Sequence, residues 1–332
     1  MVVPRSEAPV PNPIPTVFFG SPSFAVPTLR ALADDQRFDL RLVVTQPPRP
    51  SGRGQRLHRS AAHQAAEERG MRVFAPDRLR GSDVVDRLAA VAPSLFVVAA
   101  YGKILRPDIL ALPDRGTLNV HASLLPAYRG ASPIHAALLD GAAETGVSIM
   151  LMDVGLDTGP VLAQAHIPIA ENATTETLTA SLANLGAPLL VETAAQWVRG
   201  EIVPRPQNDD AATMTHLITK EDGNVRWELP AARIARMERA YRPWPGVFTF
   251  LAHTRLLLHG LRAAPSSQLP ASPGTIVAVD ADGLRVRAGE GDVWVGSVQQ
   301  EGKSPSSAAA YARGHHGLVG MRFAATPEAG NT

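Results

Sequence analysis

The sequence predicts an α/β protein with two domains: a doubly wound, mostly parallel sheet of Rossmann-like type, followed by a small OB-like β-barrel. Three observations support this prediction. Apolar runs of strand length alternate with helical patterns in the first third of the chain, as in parallel sheets covered by helices on both faces. A stretch rich in Pro, Asp and Asn then follows a long helical pattern. Beyond that stretch, short strands are separated by turn residues, which favours a closed barrel.

The first domain opens with a strand, a turn and a helix, and the alternation then repeats. We predict strands at 16–20, 40–45, 73–74, 95–99 and 118–121, and helices at 24–32, 61–69, 84–90 and 174–199. In the second domain we predict a helix at 231–240 and strands at 246–258, 274–279, 284–288 and 293–298. The predicted organisation is a flexible N-terminal tail at 1–14, a first domain at 15–200, a linker at 201–213, a barrel domain at 214–323 and a C-terminal tail at 324–332.

Composition argues against several classes of protein. The chain has 332 residues, 45% of them hydrophobic, no cysteine and a net charge of +1. Without cysteine there is no thiol nucleophile, disulfide or Cys-ligated metal, and the N-terminus lacks the apolar core of an export signal, so we expect a cytoplasmic protein without a metal. No apolar run approaches the roughly 20 residues of a membrane span, so we expect no membrane partner. Neither a dinucleotide fingerprint nor a P-loop motif occurs.

The most informative polar residues are Asn119, His121 and Asp157. Asn119 and His121 are two apart in a short predicted strand, so they point to the same face of the sheet. Pro126 ends this segment, which places the pair near the carboxyl end of a strand, where open α/β sheets bind their ligands. Read alone, such residues more often serve as a turn cap, a hydrogen-bonded core histidine and a loop aspartate than as a catalytic site.

The surrounding motifs add a resemblance to a known family. Asn119-x-His121 with Ser123-Leu124-Leu125-Pro126, followed by Leu156-Asp157-Thr158-Gly159, resembles the 10-formyltetrahydrofolate-dependent formyltransferases. The chain is similar to the members that act on methionyl-tRNA from about residue 15 to 323, as in Phe19-Gly20-Ser21-Pro22 and Pro243-Trp244-Pro245-Gly246. The resemblance implies a formyltransferase-type first domain, 10-formyltetrahydrofolate as formyl donor and methionyl-initiator tRNA as acceptor. We also expect a monomer.

The resemblance also implies roles for individual residues. Asn119, His121 and Asp157 would be catalytic: Asn119 stabilises the developing oxyanion and His121 moves a proton. For Asp157 three roles stay open, namely holding the imidazole, favouring its charged form and relaying protons through water. The folate contacts would be Ser123, Leu124, Leu125 and Pro126, with Tyr101 and Gly102 lining the same crevice. The tRNA contacts would be Arg53, Arg49, Arg56, Lys220 and Arg239.

The arginine-rich segment is the main sign of a tRNA partner. Between residues 40 and 66 there are five arginines and no acidic residue. Charge alone leaves a solvated surface loop as an equally good interpretation, whereas the family's equivalent loop enters the acceptor-stem end of the tRNA. Arginine's planar fork suits phosphates and guanine edges.

Two other functions stay open at this stage. One is a tRNA-binding protein whose transferase site is inactive, although Asn119, His121 and Asp157 are all retained. The other is formyl transfer to a nucleotide-linked sugar or to glycinamide ribonucleotide, which would leave the Arg53 loop and the second domain unexplained.

Overall fold

A computed structural model describes residues 12–51 and 56–327 of the chain. These residues fall into two compact units. The first unit comprises the chain up to Gly130, Glu144–Ile167 and Thr179–Met214, and the second comprises Ala131–Ala143, Pro168–Leu178 and the chain from Thr215 onward. The predicted boundaries at 201 and 214 stay predictions.

The secondary structure alternates in the first part of the chain and is mostly β in the last. The helices are α1 (Ala25–Asp34), α2 (Ala61–Glu68), α3 (Ser82–Ala89), α4 (Pro107–Leu110), α5 (Pro133–Asp140), α6 (Thr175–Val198), α7 (Ala231–Ala240) and α8 (Ala308–Arg313). The strands are β1 (Ile14–Gly20), β2 (Phe38–Val44), β3 (Arg49–Ser51), β4 (Arg56–His58), β5 (Val73–Phe74), β6 (Leu95–Ala99), β7 (Thr117–His121), β8 (Arg129–Gly130), β9 (Glu144–Leu151), β10 (Val161–Pro168), β11 (Met214–Thr215), β12 (Phe248–Leu251), β13 (Thr254–Ala264), β14 (Ile276–Asp280), β15 (Gly283–Arg287), β16 (Asp292–Gln300), β17 (Ser306–Ser307) and β18 (Phe323–Ala324).

The first unit is built on a seven-stranded sheet in the order β10-β9-β7-β6-β1-β2-β5. Five neighbouring strands of this sheet are parallel, namely β7, β6, β1, β2 and β5, which confirms the predicted doubly wound fold. β9 runs antiparallel to β7 with His121 opposite Ser148, and the sequence did not predict the β9–β10 hairpin. β1 lies between β2 and β6, so the strand order reverses beside β1 at a topological switch point.

Long helix α6 matches its predicted span, although Gly186 and Pro188 lie within it. A Cβ at Gly186 would lie 2.9 Å from Cγ1 of Val120 and 3.2 Å from Cγ1 of Val147. The glycine therefore lets the helix backbone approach β7 and β9 more closely than any other residue would allow. Helix α6 therefore packs against the face of β7 that carries Val120, opposite the face that carries Asn119 and His121.

The second unit holds the barrel. Its antiparallel sheet has the order β14-β15-β16-β13-β12-β18, with β17 beside β16. Thr275 forms a bridge with Arg322, and the N–H of Phe323 donates to the carbonyl of Gly274 at 2.8 Å, so the end of the sheet returns to β14. These bonds curl the sheet into the predicted barrel.

The single strand predicted at 246–258 is wrong, because the chain reverses within it. β12 and β13 form a hairpin in which Leu251 faces Thr254, with Ala252 and His253 as the two turn residues. Ala252 has a φ of +49°, a conformation that hairpin turns usually assign to Gly or Asn. The dipeptide Ala252-His253 carries no turn signal, so the apolar pattern on both sides of it predicted a single strand.

Helices α5 and α7 are fastened to each other within the second unit. Arg233 pairs with Asp140 at 2.7 Å, and Nε of Arg236 donates to the carbonyl of Leu139 at 2.7 Å. Gly141 ends α5 with a φ of +70°, and a Cβ there would lie 2.9 Å from the Arg236 guanidinium. Among the residues that the structure describes, no helix combines the length and the apolar character needed to cross a bilayer.

Candidate active site

Strand β7 carries two of the three polar residues at the predicted site. Asn119 lies beside Val98 of β6 and Met150 of β9, in the middle of the sheet. His121 ends the strand and is 5% exposed. Alternation along the strand places both side chains on one face, as the sequence predicted.

Asp157 reaches this face from the loop between β9 and β10. Asp153 shapes the loop, since its carboxylate accepts from the Gly155 N–H at 3.0 Å and from the Thr158 hydroxyl at 2.8 Å. Gly159 fits the loop exit because a Cβ there would lie 1.8 Å from the carbonyl oxygen of Leu151. Asp157 itself has a φ of +55°, a left-handed conformation that costs free energy and is found mostly in Asn, Asp and Gly.

The structure brings the three side chains together. Nδ2 of Asn119 donates to Oδ1 of Asp157 at 3.4 Å, and Nδ1 of His121 lies 3.7 Å from Oδ2. The N–H of Gly130 donates to the same Oδ2 at 2.8 Å. The side chains of His121 and Asp157 are only 6% and 14% exposed, so the negative charge of Asp157 acts on the imidazole with little screening by water.

The hydrogen bonding of His121 fixes its neutral tautomer. Nε2 lies 3.0 Å from the carbonyl oxygen of Tyr128, which can only accept, so the proton is on Nε2. Nδ1 then carries the lone pair and faces Asp157. Burial lowers the pKa of His121 below its ordinary value, against the opposing effects of the Asp157 charge and the Tyr128 carbonyl. The neutral imidazole is therefore the favoured form at neutral pH.

The segment predicted to contact folate follows His121 directly. Ser123 is fully buried, and its hydroxyl donates to the carbonyl of Ala127 at 2.6 Å. The N–H of Leu125 donates to the Ser148 hydroxyl and its carbonyl accepts from Gln164, while its side chain packs with Met150 and Val161.

The backbone of Leu125 is thus already paired inside the protein. Leu124 and Pro126 are half-buried, and the Leu125–Pro126 peptide bond is cis. Contact between this segment and folate stays a prediction.

Tyr101 and Gly102 lie where the loops that follow β1, β2 and β6 meet. Nε2 of Gln46 donates to the Tyr101 carbonyl at 3.0 Å, and the Ser21 hydroxyl accepts from the Gln46 N–H at 3.0 Å. The Tyr101 ring is 1% exposed and packs edge-on against Phe19, and burial raises its pKa to about 12. The Tyr101 carbonyl is therefore already paired within the protein, and a folate contact of Tyr101 and Gly102 stays a prediction.

The predicted tRNA contacts occupy different settings. Arg49 is exposed and donates to Oε1 of Gln46 at 2.8 Å, and Lys220 is exposed at the start of a short 3₁₀ turn. Arg239 is half-buried and donates to the carbonyl of Ala173 at 3.1 Å. Arg53 and the side chain of Arg56 lie outside the described residues. These five residues remain predicted contacts.

Sequence reasoning missed a group of residues next to Asp157. Gln207 contacts the Asp157 backbone, and Arg129 in turn contacts Gln207. Both lie in segments without periodicity that the sequence assigned to a loop and a linker. Their polar side chains were the one available signal, and it does not indicate a partner some 50 residues away in sequence.

Both parts of the chain are similar to proteins of one known family. Residues 15–194 match the family described as "Formyl transferase", and residues 217–316 match "Formyl transferase, C-terminal domain". A protein of Roseiflexus sp. (strain RS-1) named methionyl-tRNA formyltransferase is 46% identical over 302 residues, which covers 91% of this chain and 93% of that protein. A protein of the same name from Chromobacterium violaceum is 44% identical over 308 residues, covering 92% of this chain and 98% of its own.

A solved structure shows the same fold. The N-formyltransferase from Helicobacter canadensis, in complex with folinic acid and dTDP-3-aminofucose, aligns over 86% of this chain and 99% of its own with a TM-score of 0.62 at 16% identity. Within the described ranges, no group of three or more His, Asp or Glu side chains is placed to hold a metal ion. With matches that extend through both the sheet and the barrel, the chain belongs to the formyl transferase family.

Proposed function

We propose that this protein transfers the formyl group of 10-formyltetrahydrofolate to the α-amino group of methionyl-initiator tRNA, with Asn119, His121 and Asp157 as its catalytic residues. The observation that carries the proposal is the joint arrangement of these three side chains on one face of β7. The relatives named for this activity match nearly the whole chain, the barrel included. Family members that act on smaller amines are matched in fold alone.

The residues around the site fit a folate. A pteridine needs apolar side chains against its flat faces, and small-molecule sites combine such surfaces with a few polar groups. Val154 and Leu156 are 82% and 57% exposed on the loop that carries Asp157, and Ile104 is 86% exposed after Tyr101 and Gly102. Exposed apolar side chains on two loops next to buried polar groups suit this ligand. When bound, 10-formyltetrahydrofolate supplies the formyl group.

His121 is the group that removes the proton from the attacking amine. The amine nitrogen must lose a proton as it bonds to the formyl carbon, and the acceptor has to be a neutral base. As the bond between the formyl carbon and N10 of the folate breaks, the proton taken up by His121 can pass to N10, so that tetrahydrofolate leaves with an N–H and the imidazole is neutral again. The lowered pKa keeps His121 neutral, and its Nε2–H bond to Tyr128 leaves Nδ1 as the base. Nδ1 points toward the same space as the Asn119 amide.

Asp157 acts on His121 through its charge. The distance of 3.7 Å between Nδ1 and Oδ2 is too long for a hydrogen bond, and the ring is already oriented by Tyr128. Once Nδ1 takes up a proton, the nearby carboxylate stabilises the imidazolium. Of the three roles left open by the sequence, favouring the charged form of the imidazole fits this geometry best.

Asn119 stabilises the negative charge that develops on the formyl oxygen. Its Nδ2 carries two hydrogens, and Asp157 accepts one of them at 3.4 Å. The other is donated to the formyl oxygen, which accepts more strongly as its charge grows. An amide supplies this donor without burying a second cation beside His121.

The tRNA contacts are proposed for Arg49, Arg53, Arg56, Lys220 and Arg239. Burial and the positive charge of Arg49 together lower the pKa of Lys103, against a smaller opposing effect of Asp77. This direction is consistent with a positive potential at this surface, which suits a polyanionic partner. We also propose that the protein works as a monomer, which sedimentation at micromolar concentration would test.

The decisive test offers the purified protein 10-formyltetrahydrofolate together with methionyl-tRNA. Initiator and elongator tRNAs, each charged with methionine, are compared, and free methionine serves as the control for a small amine. We expect N-formylmethionine on the initiator tRNA, little on the elongator and none from free methionine. Failure to formylate charged initiator tRNA while another amine is formylated would overturn the proposed acceptor.

A further inference from the structure

We infer that Gln207 is a positioning residue of the transferase site, which holds Asp157 at its working distance from His121. The inference rests on the proposed function, because it assigns Gln207 to the reaction that Asp157 serves. Gln207 lies in the segment that joins the two family matches, outside both of them. Its contacts nevertheless lead directly to the catalytic carboxylate.

The amide of Gln207 joins the loop that carries Asp157 at two points. Nε2 donates to the carbonyl of Asp157 at 2.8 Å and to the carbonyl of Gly159 at 2.7 Å. The two hydrogens of one amide thus hold the residue itself and the exit of its loop. Asp153 holds the other side of the loop, so Asp157 lies between two fixed points.

Arg129 fixes which way the Gln207 amide faces. Nε of Arg129 donates to Oε1 of Gln207 at 3.0 Å, and a guanidinium can only donate. Oε1 is therefore turned to Arg129 and Nε2 to the two carbonyls. Arg129 is 4% exposed, and its Nη2 pairs with Asp209 at 2.7 Å, which keeps its buried charge neutralised.

The backbone of Asp157 needs this support. Its φ of +55° is a conformation that persists only where surrounding contacts impose it. Gly130 holds the carboxylate through its N–H, and Gln207 holds the backbone of the same residue. Without Gln207, the chain would be free to relax toward an ordinary conformation, which would carry Oδ2 away from Nδ1 of His121.

The same segment also supports the other side of the histidine. The Thr213 hydroxyl accepts from the Tyr128 N–H at 2.7 Å, and the carbonyl of Thr213 accepts from the Arg129 N–H at 2.8 Å. Tyr128 supplies the carbonyl that orients His121. Gln207 therefore supports Asp157, and Thr213 supports the residue that orients His121, which is why we assign this segment to the site.

The test removes the amide of Gln207 while keeping the length of its side chain. Gln207→Met should lower kcat by about 10-fold to 100-fold, with KM for both substrates unchanged, because sub-ångström displacement of a catalytic group has effects of this size. Gln64→Met is the matched control, since the exposed Gln64 also donates to a backbone carbonyl, that of Arg59 at 3.2 Å. If Gln207→Met is unstable, Gln207→Glu replaces it in the test. This variant keeps the oxygen that accepts from Arg129 but loses the N–H groups that donate to the carbonyls of Asp157 and Gly159.

Two readouts separate positioning from a merely structural role. If Gln207 acts through Asp157, the Gln207→Met/Asp157→Asn double variant should be no slower than Asp157→Asn alone. The NMR titration of His121 should move to lower pH in Gln207→Met, because the carboxylate that raises its pKa has moved away.

A wild-type kcat in Gln207→Met would overturn the inference. It would also be overturned if the losses in kcat of the two single variants multiply in the double variant and the titration of His121 in Gln207→Met is unshifted. The titration needs no turnover, so it decides the role of Gln207 even if the proposed acceptor is wrong. Inactivity of the unaltered protein toward methionyl-tRNA would instead count against the proposed function.

Discussion

Replacing Asp157 by asparagine removes the negative charge and one of the two acceptor oxygens from the site. The oxygen that is kept can accept from the Gly130 N–H, whereas the new amide group would face Nδ2 of Asn119, which loses its acceptor. The energy at stake follows from the 3.7 Å between Oδ2 and Nδ1 of His121. At that separation, an ion pair is worth about 1 kcal/mol in water and about 4.5 kcal/mol at an effective dielectric constant of about 20. The burial of both side chains favours the upper part of this range.

The imidazolium that forms during the reaction would lose most of this stabilisation. A loss of roughly 3 to 4 kcal/mol corresponds to a fall in kcat of about 100-fold to 1,000-fold. Single-turnover formation of N-formylmethionyl-tRNA measures the fall without interference from product release. Asp114→Asn is the matched control, since the Asp114 side chain is 68% exposed and should leave the rate unchanged.

The pH dependence gives an independent check. A protonated His121 cannot accept a proton, so kcat of the unaltered protein should fall as the pH drops through the pKa of His121, at a pH below the ordinary value for histidine. In Asp157→Asn the carboxylate no longer favours the charged ring, so this limb should move to still lower pH. An Asp157→Asn variant with unchanged kcat and an unmoved limb would refute the role given to Asp157.

Three further predictions concern the oxyanion donor, the barrel and the tRNA surface. Asn119→Ala should lower kcat on the order of 100-fold to 1,000-fold in the same assay, whereas exposed Asn172→Ala should not. Asp292→Asn should lower the free energy of unfolding by about 3 kcal/mol in urea titration, because Asp292 is fully buried and pairs with two arginines. Arg49→Ala should weaken initiator-tRNA binding and reduce the salt slope by about 1, and an unchanged slope would exclude a phosphate contact.

Asp292 also makes the stability of the barrel depend on pH. Burial alone would raise its pKa, but the Ser267 N–H and the charges of Arg287 and Arg285 hold it below the ordinary value. A carboxyl whose pKa is lowered on folding contributes stability above its unfolded pKa and loses it as the pH falls through the folded one. The barrel should therefore lose this contribution only in acid, and Asp292→Asn should flatten the dependence.

Strand β7, which carries Asn119 and His121, could be predicted because its signals are local. Apolar alternation defines β7, and two residues separated by one necessarily share a face. The elements that were missed depend on contacts distant in sequence. β9 and β10 flank the loop that carries Asp157 toward His121. Asp153 and Gly159 shape this loop, but the strands on either side of it carried no signal that the sequence analysis recognised.

The β12–β13 turn and the role of Gln207 were not predicted because both depend on partners elsewhere in the chain. The Ala252–His253 turn forms because its flanking strands pair, which overrides a weak turn preference. Gln207 is fixed by a buried arginine and by carbonyls of another segment, and a single sequence holds no record of such partners. Local patterns therefore indicated the residues that we propose as catalytic, whereas the residues that contact them from distant segments became visible only in three dimensions.

The interleaving of the two units bears on how such proteins can be recombined. The chain enters the second unit at Ala131–Ala143 and Pro168–Leu178 before it reaches Thr215. A chimera that exchanges only the sequence after Thr215 would give α5 a foreign helix in place of α7, and Asp140 would lose Arg233 as its partner unless the new helix also carries an arginine there. A hybrid between relatives should therefore fold best when α5 is exchanged together with α7 and the barrel.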